Sequence, residues 1–253
     1  MEQLQDLLFE LSSSERMGIM RVLRGESLIL SQLSKKQGLT NPEALRQVRR
    51  LCDVGLVQRG PSGLYMISHY GELVLSMLEG LEFVARNREY FSHYDTSFLP
   101  YEYINRFGEL LSSSIGAEPF KVLEKTQRVL KDAEEFVWIM SNQNFALYLP
   151  TMMEKLASGI EFRLIFPEGV YPPESSALIP SNTPGMHKRV LSEVNIRLVV
   201  TDRYSGFGLP LRENMTDYRA IMGDDPRFYE WCKGLFKYYW DRSKPHIPYF
   251  ENR

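Results

Sequence analysis

Residues 38–63 read GLTNPEALRQVRRLCDVGLVQRGPSG, and this stretch decides the fold of the first part of the chain. It predicts a helix that begins at Thr40 or Asn41, both good capping residues, with Pro42 near the first helical position. Apolar residues then recur at i, i+4 and i+7, the spacing of one helix face: Ala44, Val48 and Leu51. We expect this face to pack into a core and the charged and amide side chains to remain exposed.

Two short β-prone runs follow this helix, LVQ (56–58) and LYMI (64–67), on either side of RGPSG (59–63). A Gly/Pro turn between two such runs predicts a hairpin with Arg59 at its tip. Upstream, apolar spacing and glycines predict three further short helices, the last of them ending at Gly38. Helices followed by a hairpin are the order of a winged helix, whose recognition helix enters the DNA major groove.

Basic residues are concentrated around this helix, although the net charge of the chain is −2. Residues 1–70 carry nine Lys and Arg against seven Asp and Glu. Six basic residues fall within 35–59: Lys35, Lys36, Arg46, Arg49, Arg50 and Arg59. An isolated basic helix is more often a solvated surface than a DNA reader, so the order of the elements carries the prediction of DNA binding.

The helix positions predict a division of labour on DNA. Arg46 and Gln47 have the chemistry to read guanine and adenine edges, whereas the other basic side chains of the region suit phosphates. The complete predicted DNA-contacting set is Lys35, Lys36, Thr40, Asn41, Glu43, Arg46, Gln47, Arg49, Arg50, Arg59 and Ser62. Winged helices also serve as protein docking modules, and the sequence leaves that alternative open.

A long helix is predicted from His69 to about Tyr90. Its apolar stripe comprises Tyr70, Leu73, Val74, Met77, Leu78, Leu81, Val84 and Ala85. Core packing explains such a stripe, and so does pairing of two subunits into a homodimer that matches a palindromic site. Tyr94 to Pro100 breaks the periodicity and predicts a boundary. The expected organisation is a winged helix over 1–68, a linker or dimerisation helix over 69–94, and an α/β domain over 95–253.

The second half alternates helical patterns with buried-strand patterns, which predicts an α/β sheet covered by helices. The predicted strands are 136–140, 160–166, 196–200 and 206–211, and the predicted helices are 120–130, 145–156 and 226–240. A proline-rich loop over 171–185 separates the second and third strands, and its composition is compatible with a lid, a linker or a disordered segment.

An effector site is predicted at the carboxyl ends of these strands, where α/β sheets bind ligands. Polar side chains stand there in SNQ (141–143) and TDR (201–203), and Arg203 would suit an anionic group. The predicted site is Trp138, Ser141, Asn142, Gln143, Asp202, Arg203, Tyr204 and Phe207. Each polar member of this set is also a common turn former or helix cap.

Catalytic motifs are missing from the sequence. There is no glycine-rich cofactor loop, P-loop, GxSxG or HExxH motif, and His187-Lys188 lacks the spacing of the phospholipase D histidine motif. The two cysteines, Cys52 and Cys232, form no metal-binding pattern. We therefore expect no cofactor, no metal and no enzymatic activity. With no apolar run of membrane-spanning length and an acidic opening, MEQLQDLLFE, the chain is expected in the cytoplasm.

Residues 13–70 resemble the winged-helix domain of archaeal regulators in the broad arsenical-repressor-like class. The phrases YFSHYDTSFLP (90–100), FGELL (107–111), FVWIMSNQ (136–143), RLVVTDRYSGFGL (197–209) and WCKGLFKYYWDRSK (231–244) resemble the methanogenesis-regulatory middle domain of such proteins. The resemblance implies a one-component transcriptional regulator of methanogenesis-related genes. It also implies a second domain of phospholipase D-like topology without active-site histidines. Metal-sensing relatives carry Cys or His ligands in the winged helix, where this chain offers only Cys52 and His69.

The expected partners are double-stranded DNA, a second copy of the chain and a small-molecule effector. Three alternatives remain. A methyltransferase-type enzyme with a winged-helix dimerisation module would need a glycine-rich cofactor loop. A phospholipase D-like hydrolase would need the histidine motif. A protein-interaction winged helix would show no salt-dependent affinity for DNA.

Overall fold

The computed structural model describes residues 2–116, 118–143, 148–169, 183–212 and 219–246. The chain divides into two compact units, residues 1–81 and 82–253. The division lies inside the segment 69–94, for which the sequence predicts a separate linker helix. Most of the predicted proline-rich loop 171–185 lies outside the described residues.

The first unit consists of helices followed by a hairpin. Its elements are α1 (Glu2–Leu11), α2 (Ser14–Gly25), α3 (Leu30–Gln37), α4 (Asn41–Asp53), β1 (Val57–Arg59) and β2 (Tyr65–Ile67), and α5 (His69–Arg86) begins within it. The two strands pair antiparallel, with Val57 opposite Ile67 and Arg59 opposite Tyr65. This order of elements is the one that the sequence predicts.

Helix α4 begins at a capping box. The Thr40 hydroxyl accepts a hydrogen bond from the Glu43 backbone N–H at 3.4 Å, and the Glu43 carboxylate accepts one from the Thr40 N–H at 2.9 Å. These contacts satisfy backbone donors that the first helical turn leaves without partners. The expected core face is confirmed, because Ala44, Val48 and Leu51 are buried.

The core of the first unit collects apolar side chains from α2, α3, α4, α5 and the hairpin. Its buried members are Ile19, Met20, Leu23, Leu28, Leu33, Val48, Leu51, Leu56, Val57, Tyr65, Val74 and Leu75. Since α4 contributes only its buried face to this core, the rest of its surface is left to solvent and to the charged side chains of α1 and α2.

The helix predicted from His69 to about Tyr90 is shorter than expected. Helix α5 ends at Arg86, and α6 (Arg88–His93) begins after Asn87. The predicted single stripe also divides into two faces. Val74 is buried in the core of the first unit, whereas four of its members are exposed: Tyr70, Leu73, Met77 and Leu81.

The second unit is built around a large mixed sheet. After α6 come α7 (Tyr101–Ile104), a 3₁₀ helix (Phe107–Leu110), β3 (Ser114–Gly116), α8 (Pro119–Asp132), β4 (Phe136–Met140), α9 (Leu149–Ala157), β5 (Glu161–Pro167), β6 (Met186–Leu191), β7 (Arg197–Thr201), β8 (Ser205–Gly208), β9 (Ala220–Gly223), α10 (Pro226–Arg242) and β10 (Lys244–Pro245). The strand order is β10-β6-β5-β4-β7-β8-β9-β3. Four strands, β3, β6, β9 and β10, were not predicted from the sequence.

The direction of the strands corrects the predicted α/β class. Among the described strands only the pairs β4–β5 and β5–β6 are parallel. The pairs from β4 through β7, β8 and β9 to β3, and the pair β6–β10, are antiparallel. Three residues, 202–204, connect β7 to β8, and so short a connection permits only an antiparallel pair. The unit is therefore an α+β fold with a mixed sheet.

Helices cover both faces of this sheet. Helix α10 packs on one face through residues at i, i+3, i+4, i+7 and i+8: Phe228, Trp231, Cys232, Leu235 and Phe236. Its side of the sheet presents Trp138, Met140, Leu198 and Phe207. On the other face, α8 and α9 pack against side chains that include Val137, Ile139, Phe162 and Leu164.

The segment from Tyr94 to Pro100 is not a domain boundary. Tyr94 is fully buried, and its ring stacks on Tyr90 at 3.9 Å between centroids. Leu99 belongs to the same core of the second unit. Apolar side chains without helical periodicity here mark an irregular segment that is packed inside the unit. In the described part of the chain, no helix is both long enough and apolar enough to span a membrane.

Candidate functional site

Helix α4 presents an open basic face. Arg46 and Arg49 lie one turn apart, and both are exposed. Among the described residues neither forms a salt bridge. The pKa of the Glu43 carboxyl is lowered mainly by its hydrogen bonds with Thr40, and the nearby Arg46 guanidinium lowers it further. Two guanidinium groups on one solvent-facing side are suited to bind phosphate or base-edge acceptors.

The neighbouring flank of α4 is occupied by contacts within the first unit. The Gln47 side-chain oxygen accepts a hydrogen bond from Arg16 Nη1 at 3.2 Å. Arg50 donates to both carboxylate oxygens of Glu10, at 3.1 Å and 2.5 Å, and lies over the Phe9 ring at 5.2 Å. Gln47 and Arg50 thus form contacts within the first unit and are not part of the open face.

A buried ion pair anchors this flank. Glu10 and Arg16 have side chains only 10% and 8% exposed, with Arg16 Nε 2.9 Å from a Glu10 carboxylate oxygen. Arg16 also donates to the backbone carbonyls of Glu10 and Phe9, at 2.6 and 2.8 Å. Glu10 at the end of α1 thus contacts α4 directly through Arg50, and indirectly through Arg16, which also contacts Gln47.

The remaining predicted DNA-contacting residues surround α4. Lys35 is exposed at the end of α3 without a salt bridge among described residues, whereas Lys36 pairs with Glu26. Asn41 accepts a hydrogen bond from the Ser34 hydroxyl at 2.6 Å, and Thr40 and Glu43 form the capping box described above. In the hairpin, Arg59 lies over the Tyr65 ring at 5.7 Å and Ser62 is exposed in the turn.

The two polar segments of the predicted effector site, residues 141–143 and 201–203, are not brought together. Because β7 runs antiparallel to β4, Met140 pairs with Leu198 and Val137 with Thr201. The carboxyl end of β7 therefore lies beside the beginning of β4, and residues 141–143 and 202–203 are on opposite edges of the sheet. At about 3.3 Å per residue, five residues separate the two edges by about 16 Å. The predicted single crevice is wrong.

Asp202 and Arg203 hold a turn at their edge of the sheet. The Asp202 carboxylate accepts hydrogen bonds from the backbone N–H groups of Glu134 and Glu135, at 3.0 and 3.2 Å. Burial acts to raise the pKa of Asp202, but these backbone hydrogen bonds outweigh it and lower the pKa. Arg203 pairs with Glu134, which raises the pKa of Arg203. Both side chains therefore have structural contacts where β4 begins.

Trp138 belongs to the opposite face of the sheet from α8. Its ring stacks on Phe236 of α10 at 5.1 Å, and the Arg163 guanidinium lies 4.9 Å from its centroid. Asn142 is exposed at the end of β4, and the Ser141 hydroxyl accepts a hydrogen bond from the Gln143 N–H at 3.0 Å.

A cavity of about 90 Å³ lies between α8 and the sheet. Four of the predicted effector residues border it: Ser141, Gln143, Tyr204 and Phe207. Its walls otherwise come from the apolar face of α8 and from strands β4, β7, β8 and β9, including Val122, Thr126, Ile139, Val199, Gly206 and Met222. These wall residues were not predicted from the sequence, and the signal that could have identified them is a strand with two glycines, SGFG (205–208).

Residues 119–242 match the family model described as the middle domain of the methanogenesis regulatory protein FilR1. The matched segment is just under half of the chain and includes both the cavity and the sheet strands from β4 to β9. The second unit therefore carries a segment similar to a domain of a regulatory protein. A comparison with curated proteins gave no match.

Three solved structures resemble the chain. TrmBL2, an archaeal chromatin protein whose structure is described as showing a novel mode of DNA binding, aligns with a TM-score of 0.45 at 13% identity, over 92% of this chain and 94% of its own. NucT from Helicobacter pylori aligns at 0.43 and 15% identity, over 53% of this chain and 99% of its own. The phospholipase D family member Nuc from Salmonella typhimurium aligns at 0.42 and 13% identity, over 54% and 99%.

Proposed function

We propose that the chain is a one-component transcriptional regulator. In this proposal the first unit is a winged helix that binds double-stranded DNA, and the second unit senses a small-molecule effector. The observation that carries it is the open face of α4, with exposed Arg46 and Arg49. The match of residues 119–242 to the middle domain of a methanogenesis regulatory protein supports a regulatory role, and methanogenesis-related genes are the proposed targets.

On DNA, α4 lies in the major groove and the hairpin approaches the backbone. Arg46 makes the bidentate contact to a guanine edge, and Arg49 and Lys35 bind phosphates. Arg59 and Ser62 are placed at the hairpin to contact the sugar-phosphate chain. Gln47 and Arg50, which the sequence assigns to DNA, act in this proposal through their contacts with Arg16 and Glu10, which position α4.

Substitution of Arg46 and of Arg49 should have different effects on DNA binding. Arg46→Ala should lose sequence discrimination by about 1–3 kcal/mol, because one base pair is no longer read. Arg49→Ala should weaken binding to all sequences alike. It should also make the slope of log affinity against log salt concentration shallower by about one, because one phosphate contact is lost. The measurement is fluorescence anisotropy of a duplex from the gene's own promoter region and of a scrambled duplex, over a series of salt concentrations.

Lys237→Ala is the matched control, since it removes an exposed positive charge from α10 in the second unit. It should leave both affinities and the salt slope unchanged. If the unsubstituted protein shows no salt-dependent binding to either duplex, the DNA-binding proposal fails and a protein-interaction role for the first unit is favoured. Identical behaviour of the two arginine variants would contradict the division between base and phosphate contacts.

We propose that the regulator is a homodimer formed through the exposed stripe of α5. Tyr70, Leu73, Met77 and Leu81 are 46%, 57%, 73% and 60% exposed on this one helix. Large apolar side chains in a row on a surface are characteristic of an interface. A two-fold axis through the stripe would give two copies of α4 for a palindromic site.

Met77→Glu should convert the dimer to a monomer, because a two-fold interface would place two carboxylates close together in apolar surroundings. Sedimentation velocity at micromolar concentrations measures the change. Ser76→Glu is the control, since Ser76 is exposed next to the stripe but is not part of it. A monomeric unsubstituted protein, or equal association of both variants, would contradict this interface.

The second unit is proposed to be non-catalytic and to need no cofactor. No His-x-Lys motif occurs in the sequence, and His187 lies in β6, directly followed by Lys188. An enzyme of phospholipase D type or of methyltransferase type remains the alternative class. Hydrolysis of a phosphodiester by the purified protein would decide in favour of the first of these. A DNA-binding regulator of this kind is proposed to act in the cytoplasm.

A further inference from the structure

The cavity beneath α8 has its floor on β8, where two glycines alternate with larger residues. Phe207 points to the α10 face, with its ring 4.8 Å from Trp231. Gly206 and Gly208 therefore occupy the opposite face, toward α8. A glycine inside a strand is unfavourable because it contributes no packing, and it often marks a close approach of a ligand or another chain segment.

A side chain at either glycine would crowd the neighbouring strands. A Cβ atom on Gly206 would lie 3.1 Å from Met222 Cγ and 3.3 Å from the Ile221 carbonyl oxygen. A Cβ atom on Gly208 would lie 2.6 Å from Arg197 Nη2. Each glycine thus leaves room for a side chain of the neighbouring strand, Met222 beside Gly206 and Arg197 beside Gly208.

Solvent reaches side chains in the middle of this sheet. Val199 lies on β7, with β4 on one side and β8 on the other, yet its side chain is only half-buried. Thr126 and Leu123 on α8, which also border the cavity, are likewise half-buried. Close packing normally covers a central strand beneath a helix. Here apolar surface is exposed inside an open space instead of being buried.

We infer that this cavity binds a small, mainly apolar molecule of a few non-hydrogen atoms. The wall is mainly apolar, with Val122, Ile139, Val199 and Met222 among its residues. Its polar side chains include Thr126, Ser141, Gln143, Arg197, Tyr204 and Ser205. A dry apolar cavity of roughly 150 Å³ accepts benzene or xenon. A space of about 90 Å³ therefore suits a smaller molecule. The inference rests on the sensing role proposed for the second unit and gives it a location and a ligand class.

Binding of such a ligand would directly affect the position of α8 on the sheet. The molecule would contact α8 on one side and β4, β7, β8 and β9 on the other. Filling the cavity adds contacts between helix and sheet that the empty state lacks, so it stabilises the arrangement in which α8 is closed on the sheet.

Xenon is a suitable probe because it is apolar and small, and methyl NMR of the full-length protein reports where it binds. Saturable shifts are expected at the methyl groups of Ile139, Val199 and Met222, and not at those of the α10 face. Thr126→Leu fills the cavity from the helix and should reduce these shifts at least several-fold. Ala220→Val fills the cavity from β9 and should reduce the same shifts. With two filling variants the test does not depend on one of them folding correctly.

Gln127→Leu is the matched control, because Gln127 is on α8 but does not border the cavity. It should leave the xenon shifts unchanged. Absence of saturable shifts, or shifts that persist in both filling variants, would overturn the inference. Shifts caused by propionate and not by xenon would also overturn it, since they would indicate an anion site. The experiment contains no DNA, so its failure leaves the DNA-binding proposal untouched.

Discussion

Replacement of Trp231 by alanine is expected to destabilise the second unit by about 3–5 kcal/mol. Trp231 is fully buried on α10. Its indole N–H donates to the Tyr103 carbonyl at 3.1 Å, and its ring lies 5.5 Å from the Tyr103 ring and 4.8 Å from the Phe207 ring. Alanine would leave a cavity between α10 and the sheet and an acceptor without its donor.

Urea unfolding followed by tryptophan fluorescence measures this loss in the second unit alone. All three tryptophans, at positions 138, 231 and 240, belong to it, so two remain as probes in the variant. Trp231→Phe is the control, because it keeps most of the apolar volume and loses the N–H, and it should cost much less than alanine. A loss below about 1 kcal/mol in Trp231→Ala would show that the site collapses around the smaller side chain.

Replacement of Glu10 by alanine should destabilise the first unit by about 3 kcal/mol, because it leaves Arg16 buried without its counter-charge. The Arg16 side chain is only 8% exposed. Its hydrogen bonds to Gln47 and to two backbone carbonyls remain, but none of those partners is charged. The same substitution releases Arg50 from α1, so α4 also loses its ion pair with that helix.

Arg50→Ala is the control for this experiment, since it removes the other salt bridge of the same carboxylate. The Arg50 side chain is 42% exposed, and solvent screening limits the worth of such a pair to about 0–1 kcal/mol. Because the first unit contains no tryptophan, amide hydrogen exchange at Val48 and Leu51 is the measurement that reports on it. Equal losses of protection in the two variants would contradict the importance of the buried pair.

Local signals explain why the first unit was predicted well. Helix α4 is specified by Thr40, Pro42 and Glu43 at its beginning and by apolar spacing along one face, all within a dozen residues of each other. The same signals place Arg46 and Arg49 on the exposed side. The engagement of Gln47 and Arg50 was missed because their partners, Arg16 and Glu10, lie more than 30 residues earlier in the chain.

The effector site was predicted incorrectly in one part, for a reason of the same kind: Asp202 and Arg203 do not border the cavity, whereas Ser141, Gln143, Tyr204 and Phe207 do. Strand patterns identify buried runs such as Phe136–Met140 and Arg197–Thr201, but they carry no information on direction. Once β7 runs antiparallel to β4, Asp202 is far from Gln143 and serves the turn before β4 instead. The cavity depends on four strands and a helix that meet only in the folded unit.

The sequence by itself determined the helices of the first unit, the hairpin after them, the exposed basic face of α4 and the presence of the terminal helix α10. Capping, apolar period and turn residues act over a few positions, so their information is contained in short stretches. Only the tertiary structure decided the strand directions, the division of α4 between free and engaged side chains, and the cavity above Gly206 and Gly208. Those features arise from pairing between distant segments, where many arrangements satisfy the same local pattern and packing selects one.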